Sequence, residues 1–209
     1  MIVNIHIQKT AGTSTVAMIK SNLNLADNEI YHGPSHLDPN YEEDKHEESL
    51  DQYRLLSIHP IRSFRDKIYH PVSVRQVKQF NPSYFTFLRD PYKRMISHCN
   101  QINTKTDEFH KFYLAQDFQY NSLHKFFNEP NDLIQTLEDY NVFVGIFEIY
   151  DRDILALGRH LGINQVTVST RKYKSTTAKF DYTKCITVEE FKERNSKDYM
   201  LYEHFIKKK

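Results

Sequence analysis

Short apolar runs alternate along this chain with longer stretches in which apolar positions recur every three or four residues. Ile2-Val3-Asn4-Ile5-His6-Ile7 opens the chain as a buried strand. A tight loop around Gly12 follows, and Thr15 to Leu25 reads as a helix that Thr13 or Ser14 caps. Residues 26–52 are polar and acidic and are broken by Gly33, Pro34 and Pro39, so they read as an exposed loop leading into a short solvated helix. A second strand is expected over Arg54–Ile58, stopped at His59-Pro60. Ser83–Leu88 is aromatic and β-prone and lies between Asn81-Pro82 and Pro91, which makes it the clearest strand. Pro91 suits the first turn of a helix running to about Gln101.

Residues 103–140 read as mostly helical, with apolar residues at helical spacing (Phe109, Phe112, Tyr113; Leu123, Phe126, Phe127; Leu133, Leu137). Asn141–Phe147 reads as a strand, and Asp151–Leu161 as an amphipathic helix closed by Gly162. Residues 165–186 form a mixed segment rich in Lys, Arg and Thr. Thr187 to Glu190 resembles a capping-box start, and Asn195–Ile206 makes the last helix. Strands that alternate with helices predict an α/β single domain over residues 1–209, with a central, mostly parallel sheet flanked by helices. Ligands of such sheets bind beyond the carboxyl ends of the strands. The loop after the first strand, His59 after the second and Arg89 after the third all fall there.

Composition narrows the chemistry. Formal net charge is +1 over 209 residues, so no global field points to nucleic acid or an anionic membrane, and an anion site must be a local cluster. Two cysteines, Cys99 and Cys185, make neither a disulfide framework nor a metal set, and no His/Cys/Asp/Glu group has clear metal spacing. No apolar stretch approaches the length of a membrane span. The first strand begins at once, without the basic and apolar regions of a signal peptide, so the expectation is a soluble, cytoplasmic protein. Residues 61–79 carry Arg62, Arg65, Lys67, Arg75 and Lys78 against Asp66 alone. That local basic face suits either an acidic acceptor or a solvated helix.

Strand, small-residue loop and helix N-terminus make a phosphate cradle. Unpaired backbone N–H groups and the positive helix end meet the anion, and Lys9 adds a point charge. The nucleoside-triphosphate P-loop needs Gly, four residues, then Gly-Lys-Ser/Thr. Here the lysine precedes the glycine. An arginine fork at Arg89 and the Ser97 hydroxyl, about 9 Å along the helix from its start, suit a second phosphate.

His6 to Ser14 resembles the 5′-phosphosulfate loop of the sulfotransferases, and Arg89-Asp90-Pro91 followed by Ser97 resembles their 3′-phosphate motif. Together with Leu55–Pro60, Val144–Glu148, Lys174–Lys179 and Asp198–Glu203, these motifs make the chain look most like the heparan sulfate and uronyl 2-O-sulfotransferase group. The resemblance runs from end to end. Gln8 stands where that family usually has proline, and Ile58 where a glycine commonly precedes the catalytic histidine. The resemblance implies a P-loop-NTPase-like sulfotransferase fold and an enzyme that uses 3′-phosphoadenylyl sulfate (PAPS) and releases 3′-phosphoadenosine 5′-phosphate (PAP), with no metal. Lys9, Thr10, Ala11, Gly12, Thr13 and Ser14 would hold the phosphosulfate, Arg89 and Ser97 the 3′-phosphate, and Lys174, Thr176 and Thr177 would close over the donor. His59 and Lys9 would be catalytic, with His59 the general base and His32 and His36 in reserve. His6 reads as structural. The implied partner is a hydroxyl-bearing acceptor, a carbohydrate or glycan. A P-loop kinase-like enzyme and a non-catalytic PAP-binding module are the competing readings.

Overall fold

The computed structural model describes residues 1–32, 50–58, 72–102, 117–167 and 186–209. Its centre is a five-stranded, all-parallel sheet of β1 (Ile2–Ile5), β2 (Ile30–His32), β3 (Leu55–Ile58), β4 (Ser83–Leu88) and β5 (Phe143–Ile146), in the order β2-β3-β1-β4-β5. Among the described residues the helices are α1 (Gly12–Leu23), α2 (Val74–Val77), α3 (Pro91–Ile102), α4 (Phe118–Phe126), α5 (Leu133–Asp139), α6 (Tyr150–His160), α7 (Val188–Arg194) and α8 (Ser196–Lys207). The α/β architecture expected from the alternating pattern is the one observed.

Both faces of the sheet are covered, which is why its strands read as apolar runs. The pleat sends alternate residues to opposite faces. Val3, Ile5, Leu56, Ile58, Tyr84, Leu88, Val144 and Ile146 meet α2, α4, α5 and α8 in the larger core. Leu55, Phe85 and Phe87 meet Val16, Met18 and Ile19 of α1 and Ile154 and Leu157 of α6 on the other face. A third cluster, Tyr92, Met95, Cys99, Phe191 and Tyr199, packs α3 against α7 and α8.

Strand order creates the crevice. From β1 the chain passes through α1 to the edge strand β2, returns to β3, then crosses to β4 on the other side of β1. The helix after β1 lies on one face, and the helix after β4 joins the layer over the other. Adjacent strands whose following helices part in this way mark the topological switch point, where the sheet opens beyond its carboxyl edge.

Two expectations need correction. Residues Ile30–His32, inside the stretch read as an exposed loop, form an edge strand paired with β3 from Ile30↔Leu55 to His32↔Ser57. Three residues are too few to show an alternating pattern, and the pairing is supplied by β3. Next, α1 starts at Gly12, not Thr15, so Thr13 and Ser14 lie in its first turn and neither caps it. Its N-cap is Ala11 at φ 70°, with no side-chain bond. The described part of the stretch expected to be mostly helical is so, and it is divided into two helices. Asn128 and Glu129, both at positive φ, and Pro130 separate them, and Asp132 caps the second by accepting from the Gln135 N–H at 3.0 Å. Thr187 caps α7 as expected, its hydroxyl accepting from the Glu190 N–H at 3.1 Å.

Candidate anion-binding site at the switch point

The loop between β1 and α1 is built by backbone conformation. Lys9 and Ala11 both adopt left-handed φ, 68° and 70°, which costs free energy in residues other than glycine. Local and long-range hydrogen bonds together hold the loop. The Thr10 hydroxyl, buried, donates to the Ile7 carbonyl at 2.7 Å, and the Thr15 hydroxyl donates to the Ala11 carbonyl at 3.1 Å. Thr15 also shares a 3.1 Å hydrogen bond with the Tyr150 hydroxyl at the start of α6. Ala11, the N-cap, offers no side-chain acceptor to the first-turn N–H groups of α1, and the positive end of the helix dipole lies at this loop.

Arg89 enters from β4. It follows Leu88, whose partner Ile146 ends the β4–β5 ladder. Its Nη1 donates to the Lys9 carbonyl at 3.2 Å, and its guanidinium carbon lies 4.3 Å from the centre of the Phe147 ring. The Nε is buried with no hydrogen-bond partner among the described residues. Beside it, the Asp90 N–H donates to Glu148 Oε1 at 3.2 Å, and the Tyr202 hydroxyl donates to Glu148 Oε2 at 3.1 Å. Asp90 in turn accepts from the Lys93 N–H at 2.8 Å in the first turn of α3.

The site concentrates positive charge. Neither Lys9 nor Arg89 enters an ion pair among the described residues. Burial lowers the Lys9 ammonium below the usual lysine range, and the nearby Arg89 charge lowers it further. Burial also lowers Arg89, against the pull of Glu148 and Asp90. Two desolvated cations beside an uncapped helix start form a site that an anion relieves.

The structure therefore brings together Lys9, Thr10, Ala11, Gly12, Thr13, Ser14 and Arg89. Ser97 lies half-buried on α3, whose first residue is two positions after Arg89. Arg89-Asp90 does not form the simple strand-end ion pair that such a dipeptide suggests. Instead, Arg89 turns to the loop carbonyl, and Asp90 organises the start of α3. His32 is exposed at the end of the edge strand β2, two strands from β1. His59, His36, Lys174, Thr176 and Thr177 lie outside the described residues.

Phe147, Tyr150 and Gln119 were not singled out in the sequence. Phe147 carries a readable signal, because it is the last residue of an expected strand; the observed β5 stops one residue earlier, at Ile146. Gln119 carries none, since its partner is 30 positions away. Among the described residues no group of three or more His, Cys, Asp or Glu is arranged to hold a metal ion, and no helix is long and apolar enough to cross a membrane. Comparison with protein-family models, curated proteins and solved structures finds no match to this chain.

Proposed function

We propose that this crevice binds PAPS and that the chain is a sulfotransferase that moves the sulfuryl group to an acceptor hydroxyl, on a carbohydrate. The observation that carries this reading is the meeting of Lys9 and Arg89, two partly desolvated cations without a described carboxylate partner, at the uncapped start of α1. Their placement beyond the carboxyl ends of two adjacent strands suits a ligand with anionic groups at two points. A nucleotide that carries both a 5′-phosphosulfate and a 3′-phosphate is such a ligand.

In this reading Lys9 and the N–H groups of Thr10 to Ser14 hold the 5′-phosphosulfate and stabilise the charge that grows on the leaving phosphate. Arg89, stacked on Phe147, and Ser97 take the 3′-phosphate. The bond between sulfur and the phosphate's bridging oxygen breaks as the acceptor oxygen bonds to sulfur. His59 takes the acceptor's proton. Ile58, the residue before it, pairs with Ile5, and its carbonyl accepts from the His6 N–H at 2.7 Å, so β3 delivers the chain to the same edge as the Lys9 loop. Lys174, Thr176 and Thr177 close over the donor.

Calorimetric titration with PAP, ADP and ATP–magnesium tests the donor site on wild type and Arg89→Ala. The expected result is a preference for PAP that needs both the 3′-phosphate and Arg89. Equal affinity for ADP overturns the reading, and preference for ATP–magnesium favours a kinase-like enzyme. Transfer assays then test turnover. Lys9→Ala and His59→Ala should each lower it by roughly 10² to 10⁴-fold. Near-normal turnover in His59→Ala removes it as the base. PAP binding without transfer to any of a broad panel of hydroxyls marks a binding module.

A further inference from the structure

Gln119 is a polar side chain with no solvent exposure, in the first turn of α4. A buried side-chain amide needs partners for its carbonyl and its NH₂. Both partners here belong to one residue. The Arg89 N–H donates to Gln119 Oε1 at 3.0 Å, and Gln119 Nε2 donates to the Arg89 carbonyl at 2.8 Å. The amide thus gives Arg89 the pair of bonds that a neighbouring strand would give. It does so one residue past the end of the β4–β5 ladder, where the sheet has none to offer.

The other end of Gln119 is equally constrained. Asp198, buried in the first turn of α8, accepts from the Tyr120 N–H at 2.8 Å and from the Gln119 N–H. Asp117, the N-cap of α4, accepts from the N–H groups of Lys197 and Asp198 at 2.9 and 3.0 Å. Asn195 Oδ1 accepts from the Asp117 N–H at 2.9 Å. Each helix start caps the other, so α4 and α8 form one rigid block, and Gln119 projects from it to β4. A nonpolar side chain of the same length would fill the space equally well for packing alone. A paired amide adds directional bonds to the backbone of the residue that aims a guanidinium into the crevice.

We propose that Gln119 is a positioning residue for Arg89, fixing the main chain at the end of β4 so that the guanidinium meets the anion beside Lys9. The inference rests on the PAP-site reading above for the identity of the anion. Its structural half stands on the two hydrogen bonds alone.

Titration of PAP and ADP into wild type, Arg89→Ala and Gln119→Met tests it. Gln119→Met should lose most of the wild-type preference for PAP over ADP, by roughly tenfold, with ADP affinity held within about twofold. A packing role alone would weaken both ligands together, and that result overturns the proposal. So does a Gln119→Met protein that keeps the preference when Arg89→Ala loses it, and there the donor-site reading survives. If Arg89→Ala binds both ligands as wild type does, the donor-site reading fails and this inference fails with it. Amide hydrogen exchange on the wild-type protein serves if Gln119→Met does not fold. The Arg89 amide should then be protected to within roughly tenfold of Thr86 and Phe87 inside β4, and exchange at the rate of an exposed loop overturns the assignment.

Discussion

The imidazole of His6 stands where a side chain at Gly12 would begin. A Cβ on Gly12 would lie 2.0 Å from His6 Cδ2 and 2.1 Å from its Nε2. His6 directly follows β1, and its N–H extends the ladder by donating to the Ile58 carbonyl at 2.7 Å. The strand end thus carries a ring against the first residue of α1, and glycine is the residue that lets the helix start approach it. Gly12→Ala should move the ring or the loop, costing about 1–3 kcal/mol in denaturant unfolding. The same substitution in a His6→Ala background should cost less, because the clash is gone. Equal costs in the two backgrounds would show that the contact does not set the loop.

Lys9 should trade stability for binding. Its ammonium is disfavoured by burial and by Arg89, so the unfolded chain holds that proton to higher pH than the folded chain. Stability from this group therefore rises as pH climbs through the lowered folded value toward 10.5. Lys9→Met should stabilise the ligand-free protein by about 1 kcal/mol at neutral pH and abolish anion binding. Thermal unfolding with and without PAP reads both. A destabilised Lys9→Met protein would mean that Lys9 supports the fold instead.

Asp198 predicts a pH dependence of opposite origin. Burial pushes its carboxyl up to about 6, against hydrogen bonds from Tyr120 and Gln119 N–H groups and the nearby charge of Arg94, while Asp117 adds to the rise. The folded chain therefore keeps this proton to higher pH than the unfolded chain. The contribution to stability is full below about 3.8 and is lost as pH rises through about 6. In Asp198→Asn the loss should disappear, a difference of up to about 3 kcal/mol between pH 4 and pH 7. Urea midpoints of both proteins across that range check it, and parallel profiles would refute it.

Phe147 should matter more to binding than to folding. Its ring faces the Arg89 guanidinium, 4.3 Å from ring centre to guanidinium carbon, and it is only half-buried. Phe147→Leu should lower PAP affinity roughly three- to tenfold, as expected for a partly desolvated cation–π contact, with little change in unfolding midpoint. Unchanged affinity would separate the stacking from the site.

Much of this fold is legible residue by residue. Ser83–Leu88 is a strand because aromatic and branched residues run without interruption between two turn signals, and β4 has those bounds. Pro91 starts α3, and Gly162, at φ 71°, follows α6. These are local properties of propensity and punctuation. The edge strand β2 was not legible, since three residues become a strand only by pairing with β3. Nor was the start of α1, because the loop that carries two non-glycine residues at positive φ is tied to Tyr150 through Thr15 and to Arg89 through the Lys9 carbonyl, both far along the chain.

The same division runs through the site. Local chemistry alone marks a candidate anion cradle after β1 and an arginine after β4, since lysine, glycine, small hydroxyl residues and a strand-ending Arg-Asp-Pro can be read without knowing the fold. Their meeting was decided by strand order. The crossover that sets β4 beside β1 brings Arg89 to the Lys9 carbonyl across 80 positions, and Gln119, 30 positions further on, holds it there. Side-chain type is a property of one residue, whereas proximity across the sheet arises only when burial of both its faces fixes which strands are neighbours.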